Sequence, residues 1–233
     1  MSWEAVERRF REAGVPLRLV ELPWFRVDVE RNRGGERILL CPARASVQVM
    51  DADAGQEQLL LLVKDRDGYG RPTKQKILCG RDERSLFAVT VPNRFGVAVN
   101  TVAAAHEALK PAELRADESE AREGHGRGAG RRRKGRATLR QGDWFFVPCP
   151  WVRRDLTGIR KRVRLGFGNP HVVDYLVGDE RQFSTGFGWG RFGTSGVLAR
   201  GFVRHREHRP LNLRCWHRVL PNAAIRAPGG YAD

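Results

Sequence analysis

The longest uninterrupted apolar run in this chain is residues 59–63, and the other apolar runs are as short or shorter, closed off by proline, glycine or acidic residues. A membrane-spanning helix needs about 20 predominantly apolar residues, so no segment here can serve as one. Short apolar runs bounded by turn formers are the texture of β-strands. No repeat of fixed period occurs, which excludes solenoids and propellers.

The runs order themselves along the chain. Residues 3–13 read as a helix, with Ser2 as cap, Trp3, Val6 and Phe10 at helical spacing, and Gly14 with Pro16 as the stop. Strands are expected at 17–22, 25–29, 38–41, 46–50 and 58–63, forming a small antiparallel sheet, followed by a polar loop over 64–71. Two more, at 76–79 and 86–91, flank a charged turn over 80–84. A second helix is expected at 101–109, capped by Thr101 and ended before Pro111. Apolar residues then almost vanish from 113 to 135, and strand texture returns at 144–147, 163–165, 172–177, 197–203 and 211–220. The expected fold class is α+β: mainly antiparallel short strands, with two helices in the N-terminal half and a strand-rich C-terminal half. Its expected organisation is a neutral α+β domain (1–112), a basic flexible linker (113–137) and a basic strand-rich domain (138–233).

At 41% hydrophobic and 30% charged residues, the 233-residue chain has the composition of a globular protein with a heavily charged surface. Its N-terminus carries acids and lacks the apolar core of a signal peptide, and Cys41, Cys79, Cys149 and Cys215 form no C-x-x-C pair. Both features point to a reducing, cytoplasmic setting.

The net charge of +15 is concentrated. Residues 1–121 carry 19 basic and 19 acidic side chains, residues 122–164 carry 14 against 3, and residues 165–233 carry 9 against 5. Arginine dominates the middle segment, and its planar fork pairs bidentately with phosphate. Candidate nucleic-acid contacts are therefore Arg131, Arg132, Arg133, Lys134, Arg136 and Arg140, then Arg153, Arg154, Arg160, Lys161 and Arg162. Such a run also suits a solvated linker, and the two roles are compatible. Between Gly186 and Gly193, glycines alternate with aromatics beside Arg191, so Phe187 and Trp189 are candidates for stacking on bases. The G-x-G-x-x-G order at Gly188, Gly190 and Gly193 does not make a dinucleotide site, because a strand is expected after it where a helix is required.

Three of the six histidines, His205, His208 and His217, fall within thirteen residues, together with Cys215. On a strand over 213–219, Cys215 and His217 share a face. His205, His208, Cys215 and His217 make a chemically acceptable zinc ligand set, at a spacing unlike the familiar fingers. Glu207-His208-Arg209-Pro210-Leu211 resembles the start of the HNH nuclease motif, with Asn222 in the role of the middle asparagine. The resemblance implies a metal-dependent nuclease, with magnesium or zinc as cofactor, although no third histidine follows Asn222. Without a metal, His205 or His208 with His217 can serve as acid and base on an RNA 2′-hydroxyl, since imidazole titrates near neutrality. His171, after Asn169-Pro170, is a weaker addition. Asp82 with Glu83, and Asp65 to Gly68, read chiefly as turns.

The favoured expectation is a nucleic-acid-binding protein for DNA or RNA, in which the histidines only add donors. A nuclease centred on His205, His208 and His217 is the alternative. A ribonucleoprotein subunit that contacts another protein through residues 1–112 is the third reading.

Overall fold

The computed structural model describes residues 3–83, 85–92, 98–112, 114, 138–150, 152, 156–166, 170–178 and 196–222. These fall into two compact units, one up to Lys110 and the other from Pro111 to Asn222. The chain is strand-rich: among the described residues there are thirteen strands and two helices, both in the first unit. The α+β expectation fits roughly, but the fold is dominated by strands, several of which run on from the expected span into polar residues, as 46–50 does to Asp53 and 58–63 to Arg66.

In the first unit, helix α1 (Trp3–Glu12) is followed by strands β1 (Leu17–Leu19), β2 (Arg26–Asn32) and β3 (Gly35–Cys41), which form a sheet of order β1-β3-β2. A second, antiparallel sheet runs β4 (Ser46–Asp53), β5 (Gln58–Arg66), β6 (Pro72–Asp82) and β7 (Ser85–Val91). Strand β5 shows why an uninterrupted apolar run is needed here. Leu59, Leu61 and Val63 join one core with Val6 and Phe10 of α1 and Ile38 and Leu40 of β3. Leu60, on the opposite face, joins Leu78 and the helix α2 (Val102–Leu109) through Val102, Ala105 and Leu109. A strand buried on both faces cannot alternate polar with apolar. Thr101 caps α2 as expected, accepting the Ala104 N–H at 3.1 Å, and Asp51 accepts the Val102 N–H at 2.7 Å.

Three expectations for this unit change. The first sheet is not wholly antiparallel: β1 pairs parallel with β3, with Leu17 opposite Ile38, while β2 occupies the other edge. Nor is Gly80 a turn residue, since β6 runs on to Asp82 and Gly80 lies opposite Gln58 within the ladder. The loop after β5 is also shorter than expected, because Asp67 accepts the N–H groups of both Tyr69 and Arg71 at 2.9 Å and closes it into a tight turn.

The second unit is one antiparallel six-stranded sheet of order β10-β11-β12-β13-β9-β8. Its strands are β8 (Leu139–Gln141), β9 (Trp144–Pro148), β10 (Arg160–Leu165), β11 (His171–Val177), β12 (Leu198–Arg204) and β13 (Leu211–Pro221). One face is apolar, with Phe146, Leu165, Val173, Ala199, Val203, Leu213 and Val219 in a common core. Strand β8 was not legible, since Leu139 is its one apolar residue. It is held by the hairpin to β9, where Gly142 at φ +55 supplies the left-handed first position of a two-residue turn. Among the described residues no helix is long and apolar enough to cross a membrane.

Candidate functional site

At one end of the six-stranded sheet three imidazoles converge. His171 opens β11, where it pairs with Leu165, and His205 follows directly on β12, whose Arg204 pairs with Val172 of β11. His208 lies in the turn that leads to β13. One ring nitrogen from each lies within 4.8 Å of the other two. The ring centroids are 4.2 Å apart for His171 and His205, 4.8 Å for His205 and His208, and 5.6 Å for His171 and His208.

The surroundings hold this trio in position. Gly142 faces it so closely that a Cβ there would stand 3.0 Å from His208 Nε2 and 3.4 Å from His171 Nε2. Gln141, which is buried, donates Nε2 to the Arg209 carbonyl at 2.5 Å and so ties the histidine turn to β8. His205 Nδ1 accepts the Glu207 N–H at 3.2 Å. His171 is only 6% exposed, and its buried Nε2 has no hydrogen-bond partner. Burial, reinforced by the neighbouring His205 and His208, pushes its pKa down to about 3, so the ring is neutral at physiological pH.

The other members of the expected histidine cluster stand apart from this trio. Cys215 and His217 do share a face of β13, with Sγ 3.9 Å from Nδ1. His217 lies opposite Ala199 and Pro148, several residues up the sheet from the β12 end that carries His205. Its Nδ1 is engaged at 2.8 Å with the Cys215 carbonyl, and burial lowers its pKa. Asn222 donates Nδ2 to Asp143 at 2.6 Å, fastening the end of β13 to the β8–β9 turn. The structure thus joins His205 and His208 to His171, which lies 34 residues before His205 in the chain, rather than to Cys215 and His217.

The face of β10–β13 opposite the apolar core has a different character. Residues paired across a sheet point to the same side. Lys161, Tyr175 and Arg200 form one such row, Arg164, Val172 and Arg204 a second, and Phe202 with Asn212 a third. Tyr175 and Phe202 are each 40% exposed, and the Arg204 guanidinium lies 4.9 Å from the Phe202 ring centroid. The four strands carry eight Lys and Arg but a single carboxylate, Asp174. Asp174 accepts the Phe202 N–H at 2.8 Å and pairs with Arg204, and these two contacts hold its carboxyl below the usual range. The partners of Asp174 lie at a bulge where Gly201, at φ +86, leaves room that a Cβ would lose to the Asp174 side chain.

Of the sequence-predicted basic contacts, Lys161 belongs to this face. Arg162 is exposed at φ +54 and contributes to lowering the Asp174 pKa. Arg160 pairs with Leu176 and donates to the Gly178 carbonyl. Arg140 of β8 donates to the Gly142 carbonyl at 2.9 Å. Arg131, Arg132, Arg133, Lys134, Arg136, Arg153, Arg154, Phe187 and Trp189 lie outside the described residues. No protein-family model, curated protein or solved structure matches this chain.

Proposed function

We propose that the chain binds nucleic acid, with single strands lying across the outward face of β10–β13. The carrying observation is the combination of eight Lys and Arg with one Asp on these strands and two exposed aromatic rings among them. The cations attract the phosphate backbone, and flat rings accept unstacked bases whatever their sequence. An acidic protein surface would satisfy the cations but would have no comparable use for Tyr175 and Phe202. The Arg-rich segment 131–136 and the basic C-terminal unit belong to one electrostatic footprint on this reading.

Binding of the purified protein to a labelled oligonucleotide, measured across a salt series, tests this. About five phosphate contacts on a single strand give a log–log slope near −3.5, or roughly a 100-fold loss of affinity between about 50 and 200 mM salt. Replacing Lys161, Arg164 and Arg214, the last exposed on β13 beside the buried Leu213, together with alanine is expected to flatten the slope by about 2. An unchanged slope in that variant would remove this face from the reading.

The nuclease alternative draws on the convergence of His171, His205 and His208 beside this same sheet. His217 contributes less to it, because its Nδ1 is already committed to the backbone.

A further inference from the structure

We propose that His171, His205 and His208 form a three-imidazole site for one divalent transition-metal ion, of which zinc is the best fit. Three features of the geometry argue for a ligand rather than for a packed cluster.

The first is the orphaned nitrogen. His171 Nε2 is buried with no hydrogen-bond partner. A buried polar atom without a partner is costly, and folded proteins rarely leave one unless something else satisfies it. A metal ion takes the lone pair of such a nitrogen directly.

The second is convergence. His171 Nε2 and His208 Nε2 both face the space over Gly142, at 3.4 and 3.0 Å from the point that a Cβ would occupy. The three ring nitrogens are within 4.8 Å of one another. In a tetrahedral zinc site with Zn–N of about 2.0–2.1 Å, neighbouring nitrogens stand roughly 3.4 Å apart. Closing the site therefore means drawing the nitrogens together and turning the stacked rings of His171 and His205, whose planes lie 18° apart, until their lone pairs converge. His205 gives up its 3.2 Å bond from the Glu207 N–H in doing so, since an Nδ1 that accepts that bond leaves the ring proton on Nε2.

The third is chemistry. The ligand set is all imidazole, which suits zinc, copper, nickel and cobalt, whereas magnesium and calcium require oxygen ligands. Three protein ligands leave a fourth position, which a water molecule or a phosphate oxygen can take. The histidines come from the start of one strand and from the turn after another, and the Gln141–Arg209 bond clamps that turn, so the site depends on the sheet's register.

This inference stands independently of the nucleic-acid reading. The test uses the full-length protein without an affinity tag, stripped with chelator, and titrated with zinc by calorimetry and with cobalt by visible absorption. About one equivalent is expected to bind, with the intense d–d bands of four-coordinate cobalt. His205→Gln and His208→Gln, whose side chains are only partly buried, are each expected to lower zinc affinity by about 100-fold or more. Circular dichroism of the metal-free variants verifies that they are folded. His106→Gln, in the other unit, is expected to keep the wild-type affinity. Absence of zinc and cobalt binding in the wild type would overturn the proposal, as would binding that survives both His205→Gln and His208→Gln in folded protein.

Discussion

Gly80→Ala is expected to destabilise the first unit by about 3 kcal/mol or more, through combined backbone strain and overpacking. Gly80 adopts φ +144, a conformation that residues with a Cβ rarely hold. An added Cβ would stand 2.2 Å from the Glu57 carbonyl oxygen and 2.6 Å from Gln58 Cα, both backbone atoms that no rotamer change can move. The contact lies where Glu57, itself at φ +53, accepts the Arg81 N–H at 2.9 Å and pairs its carboxylate with the Arg81 guanidinium. Relief would require parting β5 from β6 beside the fully buried Leu59 and Cys79. Urea denaturation of the variant and wild type checks this, with amide exchange of the peptide covering β5 as a local readout. A variant within about 0.5 kcal/mol of wild type, the range of an ordinary surface change, would contradict this account of the ladder.

The double replacement Tyr175→Ala and Phe202→Ala is expected to weaken single-strand binding by a factor of about 30 or more, since each base–aromatic stack contributes roughly 1–3 kcal/mol. Both side chains are 40% exposed and stand opposite the apolar core, so the fold should tolerate their loss. Stacking carries no net charge, and the salt slope is therefore expected to stay at its wild-type value while the affinity falls. That combination separates stacking from the phosphate contacts proposed for Lys161, Arg164 and Arg214, whose removal is expected to change the slope. Equal affinity in the double variant would leave a purely electrostatic surface.

The sequence made the positions of most elements legible, because period-two and period-3.6 patterns are local. Phe10 and Val6 marked α1, Thr101 marked the start of α2, and the run 59–63 marked a strand. The partners of those elements were hidden. Nothing in residues 17–19 states that they lie parallel to β3, since that pairing depends on how the chain crosses to the far edge.

The same division between local and non-local holds at the site. Cys215 and His217 were expected to share a face because they are two residues apart on one strand, and they do. His171 joins His205 only through the pairing of β11 with β12, which no local pattern encodes. The outward face had a readable signal that passed unused: Arg200, Phe202 and Arg204 alternate with Ala199, Gly201 and Val203, as polar and apolar residues do on a half-buried strand. Charge counted by segment drew attention to residues 122–164, whereas the face is assembled from residues on both sides of position 165.

The proposed binding of nucleic acid to the outward face of β10–β13 is tested most directly by photocrosslinking. The full-length protein would be irradiated with a short single strand carrying a photoreactive pyrimidine, digested, and its crosslinked peptides mapped by mass spectrometry. Crosslinks are expected at Tyr175 and Phe202, in the peptides of β11 and β12. Crosslinks confined to residues 3–110, or a bound strand that crosslinks to none of the peptides of β10–β13, would contradict the claim.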